Sequence, residues 1–115
     1  MPDRDVAFVL DILNAARLAQ DFVAGVDKSS FEEDLMRQAA VIRQIEIMGE
    51  ATKRLSSTFR ATYPQIPWSK IAGMRDILIH AYDRVDLDEV WTTIQVAVPR
   101  LISQLEPIVP PDESS

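Results

Sequence analysis

Apolar residues recur along this chain at three- and four-residue steps, and no stretch alternates as a half-buried strand would. Between Val6 and Val23 the series Val6, Val9, Leu10, Leu13, Ala16, Phe22 and Val23 mostly keeps the helical step. Asp3 stands where an N-cap belongs, Asp5 favours the first turn, and Gly25 follows the last periodic residue as a helix stop. Ser30 and Glu33 have capping-box spacing and predict the start of a second helix. From there Phe31, Leu35, Ala39, Ile42, Ile45, Met48, Leu55 and Phe59 trace one long apolar stripe towards Thr62. Unbroken, that helix would reach about 50 Å. A chain of this size spans only about 35 Å. The helix is therefore expected to bend, near Gly49 or Ser56-Ser57, or to have its overhang covered by a second copy.

The two-proline connector Tyr63-Pro64-Gln65-Ile66-Pro67 leads into a third helix, expected from Pro67 to about Tyr82. Asp86 and Glu89 again have capping-box spacing and open a fourth helix. Pro99 interrupts its pattern, which predicts a kink or a short fifth helix through Leu105. Pro107, Pro110 and Pro111 then close regular structure, with a frayed end over Asp112 to Ser115. The pattern predicts an all-α, up-and-down bundle of four or five helices with a long central helix. One domain is expected over residues 1–106, followed by a proline-rich tail at 107–115.

Composition narrows the chemistry. The 115 residues contain no cysteine, which removes thiol nucleophiles, disulfides and cysteine-ligated zinc, and only three glycines, too few for a glycine-rich phosphate loop. No apolar run approaches the roughly 20 residues of a membrane span. The acidic start does not read as a signal peptide. A soluble, cytoplasmic protein is expected. The net charge of −6 speaks against a general nucleic-acid coat.

His80 is the only histidine. Asp76 precedes it by one helical turn, where a carboxylate can fix the imidazole tautomer and raise its basicity. Arg75 brings a forked, permanent cation suited to phosphate. Imidazole and guanidinium together suffice for phosphodiester cleavage without metal or cofactor. The competing reading is structural: surface ion pairs from Arg75 and Asp76, with His80 at the negative end of a helix dipole. On a straight helix Arg75 and His80 diverge by about 140°. A cleft shared by two copies about a two-fold axis would gather them better than one chain does.

The segment Arg75-Asp76-Ile77-Leu78-Ile79-His80-Ala81-Tyr82 reads R-x-x-x-x-H-x-Y and resembles the signature of HEPN-domain ribonucleases, specifically the HepT-like toxins. Arg43-Gln44-Ile45-Glu46-Ile47-Met48-Gly49-Glu50-Ala51 resembles the family's central-helix pattern. Ile66-Pro67-Trp68, followed by Ile71-Ala72-Gly73-Met74-Arg75, resembles its lead-in to the motif, and Trp91 also matches. The resemblance covers roughly Arg4 to Leu105. It implies a HEPN bundle that forms a homodimer, with Arg75 and His80 as a metal-independent catalytic pair at the interface and Asp76 in support. It implies a toxin acting on RNA, tRNA or mRNA, in a type VII-like toxin–antitoxin system. The implied partner is an MNT-type nucleotidyltransferase antitoxin that silences the toxin by transferring AMP to the motif tyrosine, Tyr82. The alternative is a non-catalytic helical subunit that docks such a nucleotidyltransferase and presents its substrate.

Glu50 and Arg43 are candidates for lining the cleft, although an ion-paired, solvated Glu50 is an equal reading. Trp68, Trp91, Met36, Met48 and Met74 read mainly as core or dimer contacts. Charge is unevenly spread. Residues 1–36 carry three basic and eight acidic side chains, residues 37–75 seven and two, and residues 76–115 two and eight. The long helix and the approach to the motif are thus basic within an acidic chain, the local asymmetry an RNA cleft needs.

Overall fold

The computed structural model describes residues 3–80 and 86–110, with only the backbone of residue 3 and of 75–80, the end of one helix. Helix α1 (Asp3–Val23) begins at the residue expected to cap it. It stops before Gly25, whose φ of +74° lies in the left-handed region where a glycine carries no Cβ penalty. The expected pairing of Ser30 with Glu33 does not form. Asp27 caps instead, accepting the Ser30 N–H at 2.8 Å, and the short helix α2 (Lys28–Glu33) starts ahead of Ser30. An aspartate three residues upstream reaches the free N–H groups first, and it is as good a cap as serine.

The long central helix is interrupted twice. Asp34, with φ −106° and ψ 91°, leaves the helical region, and its carboxylate accepts the Arg37 N–H at 3.0 Å to start α3 (Leu35–Arg54). That N–H bond, with the Arg37 guanidinium beside it, holds the Asp34 carboxyl below the usual carboxylate range. Gln38 supports so abrupt a join: its amide donates to the Phe31 and Glu32 carbonyls at the end of α2, where Phe31 also accepts the Asp34 N–H. The second interruption falls at Leu55–Ser56, at the expected serine pair, whereas Gly49 lies buried inside α3.

Ser56 caps the short helix α4 (Ser57–Thr62) by accepting the Phe59 N–H at 3.1 Å. Its own N–H and hydroxyl donate to the Asp5 carboxylate at 2.9 and 2.8 Å, tying the first turn of α1 to the end of α3. Asp5 is 3% exposed, so it serves as a buried acceptor rather than as a solvated charge at the helix start. The two long helices therefore run antiparallel.

Trp68 opens α5 (Trp68–His80), and its indole N–H donates to the Tyr63 and Arg60 carbonyls at 3.0 and 3.2 Å. Asp86 caps α6 (Leu87–Thr92), accepting the Glu89 N–H at 3.2 Å as its spacing predicts. A single π-turn (Thr93–Ala97) joins α6 to α7 (Val98–Leu105), with the Val98 N–H bonded to the Thr93 carbonyl. The widened turn absorbs Pro99, whose missing N–H and bulky ring disfavour a regular helix through this point. A 3-10 turn (Glu106–Ile108) follows, and Val109 returns to the core.

The bundle thus has four limbs, α1, α3, α5 and the composite α6–α7, with no strand among the described residues. It measures 43 × 29 × 20 Å. Val9, Ile12 and Leu13 of α1 meet Val41, Ile45 and Met48 of α3 in the core, closed by Ile71, Ile94, Val98 and Leu105. Leu35 departs from the expected stripe and Met36 lies outside the core: beyond the break at Asp34 they face outward, 77% and 85% exposed. No described helix is long and apolar enough to cross a membrane.

Candidate active site

Helix α5 carries the motif, and its first half fixes the axis on which the motif lies. Trp68 is anchored by its indole bonds, Ile71 is buried, and Met74 packs half-buried against the core. Arg75, Asp76 and His80 occupy the following turns of the same helix. Asp76 and His80 stand one turn apart in the backbone register, whereas Arg75 and His80 lie about 140° apart around the axis. Tyr82 lies outside the described residues, as does the end of the helix expected to reach it.

The site's place in the bundle follows from its neighbours. Met48 of α3 lines the same cavity as Ile71 and Met74, so α5 runs back along α3, and its last turns approach the first half of that helix. Asp88 at the start of α6 meets Lys28 of α2 at 2.7 Å, and the Phe31 and Trp91 rings stand 5.3 Å apart. The end of α5 and the start of α6 therefore belong to the end of the molecule that holds α2 and the exposed pair Leu35 and Met36.

Arg43 and Glu50 come together on the outer side of α3. They share a shallow pocket of about 230 Å³ between α1 and α3 with Phe8, Asp11 and Arg54, and its lining comes from those two helices. Arg43, Ile47, Glu50 and Arg54 follow three- and four-residue steps on the side of α3 opposite its buried residues. Glu50 and Arg54 stand 3.8 Å apart as an exposed ion pair, the solvated reading of Glu50. Among the described side chains, this lining includes none from α5. Trp68 is core, Trp91 is half-buried against Phe31, and Met48 is core, whereas Met36 is almost fully exposed.

Sequence reasoning missed the polar joints at Asp5, Gln38 and Arg37, the last of which donates to the Phe22 carbonyl and holds the end of α1 to the start of α3. Capping logic could have raised Asp27 and Asp34, each three residues ahead of its N–H donor. Nothing local marks Asp5 as the partner of Ser56.

A helical bundle with R-x-x-x-x-H on an interior limb is the architecture of an RNA-cleaving HEPN class, and the comparisons agree. The family model described as ribonuclease HepT-like matches residues 12–108. The chain is 39% identical over 99 residues to "Probable ribonuclease HepT" of Thermococcus cleftensis, covering 86% of this chain and 90% of the relative. It is 37% identical over 107 residues to "Putative RNase MJ1380" of Methanocaldococcus jannaschii, covering 92% and 98%. No solved structure matches. This chain belongs to the HepT-like ribonuclease family.

Proposed function

We propose that this protein is the toxin of a toxin–antitoxin pair, a homodimeric endoribonuclease that cuts RNA without metal. Family membership across most of the chain, with the motif intact at the end of α5, carries this reading. Two copies meet at the bundle end where Leu35 and Met36 are exposed, and each contributes Arg75 and His80 to one cleft. One imidazole takes the proton of the 2′-hydroxyl. The 2′-oxygen attacks the adjacent phosphorus, and the bond to the 5′-oxygen breaks as the second, protonated imidazole supplies its proton. The products are a 2′,3′-cyclic phosphate and a free 5′-hydroxyl. The guanidiniums stabilise charge on the non-bridging oxygens, and Asp76 orients and polarises the imidazole.

Unmodified protein incubated with total RNA in excess chelator is expected to leave 2′,3′-cyclic phosphate ends. The rate should fall markedly as salt rises, because the basic stretch 37–75 releases counterions when it meets the RNA phosphates. RNA left intact by homogeneous, unmodified protein overturns the proposal.

The switch is AMP transfer from ATP to the Tyr82 hydroxyl by an MNT-type nucleotidyltransferase in the cytoplasm, releasing pyrophosphate. The added phosphate occupies the RNA site and repels the RNA backbone. Co-expression with that enzyme is expected to raise the intact mass by whole AMP units and silence cleavage. Increments that persist unchanged in Tyr82→Phe disprove this acceptor.

A further inference from the structure

On the face formed by α5, the π-turn and α7 lies a cavity that the RNA chemistry leaves unused. Met48, Ile71, Met74 and Leu101 make its apolar floor. Lys70 and Arg100 stand at its rim, both exposed, and neither pairs with a carboxylate among the described residues. Among the described residues no acidic side chain lines it, although the whole chain carries −6. Beside it Val96, in the widened turn, is 59% exposed. Gln104 donates through its amide to the Gln65 carbonyl at 3.3 Å, while its buried Oε1 accepts nothing from the described residues.

We infer that this cavity is a docking site for a separate polypeptide that inserts one aliphatic side chain between flanking carboxylates. The volume is about 110 Å³, somewhat below the roughly 150 Å³ of an engineered cavity that takes up benzene, so a leucine-sized side chain fits and a nucleotide does not. Two thioethers let the floor adjust to the shape of that anchor. The cations at the rim meet its acidic neighbours. RNA suits the site poorly, since among the described residues no aromatic ring lines it to stack a base. The inference draws on neither Arg75 nor His80, and it stands or falls independently of RNA cleavage.

A random peptide library displayed on phage is panned against His80→Ala protein, so that RNA cleavage plays no part. Enriched peptides are expected to place Leu, Ile or Met beside Asp or Glu. Their affinity should drop at least about tenfold in Lys70→Glu/Arg100→Glu, two exposed changes that leave the core intact. With the four methionine methyls labelled, the best peptide should shift the Met48 and Met74 signals and leave that of exposed Met36 in place. The inference is overturned if no peptide is enriched, if basic peptides win, or if binding survives charge reversal. It is also overturned if Met48 and Met74 respond only to single-stranded RNA, or to the protein's own concentration, which would assign the cavity to RNA or to a second copy.

Discussion

His80→Ala is expected to slow RNA cleavage by about 10²–10⁴-fold, the usual worth of a positioned general acid–base group. Arg75→Ala removes the charge that meets the developing oxyanion, an effect of about 10²–10³-fold. Arg75→Lys should recover part of that loss, because the cation returns without the fork that grips two phosphate oxygens. None of these changes should disturb folding, since α5 is anchored through Trp68 and Ile71 ahead of the motif. The measurement is single-turnover cleavage of a defined RNA, with helical content followed by circular dichroism. Mixing His80→Ala with unaltered protein gives a further readout. If the cleft is shared and needs both imidazoles, the heterodimer keeps only one of them and cuts far more slowly than the half rate of two separate sites. Variants that cut as fast as the unaltered protein would move the chemistry away from α5.

Phe31→Ala carries the largest expected effect on stability, about 3–5 kcal/mol. The ring is fully buried and packs against Trp91 at 5.3 Å, where it joins α2 to α6. Alanine leaves a void that the neighbouring helices close only in part, and the aromatic pair is lost as well. Denaturant unfolding followed by tryptophan fluorescence checks this, because Trp91 reports on the contact directly. Leu35→Ala, four residues on, is the control at protein concentrations low enough to keep the chain monomeric: its side chain is 77% exposed and should change monomer stability by no more than about 0.5 kcal/mol. Equal effects from the two substitutions would mean that the break at Asp34 is wrongly placed.

That contrast shows where sequence reading succeeds here and where it fails. The repeat of apolar residues located α1, the body of α3, α5 and the α6–α7 limb, because burial on one face imposes the helical period wherever a helix packs. Asp86 was legible as a cap because it stands just ahead of a new apolar run. Asp34 was not, since Leu35 continues the stripe across it and an aspartate between apolar residues looks like an ordinary solvated position. Bonds from Gln38 in the next helix to the carbonyls of α2 support a break there, and that support is tertiary. The motif was legible as a string, by resemblance. How two copies of it converge is not written in one chain. Lys70 and Arg100 lie thirty positions apart, so no local pattern joins them at one cavity rim.

The clasp between Asp5 and Ser56 bears on how such a sequence can drift. Asparagine at position 5 would bring amide hydrogens to a place where two donors already point, and alanine at position 56 would remove one donor from a buried carboxylate. Either change alone leaves a polar group without a partner, and the two together form a different joint with its own balance. Positions fifty-one residues apart thus evolve as a single character. In the descendants of this chain, a change at one is retained chiefly on backgrounds where the other has already changed.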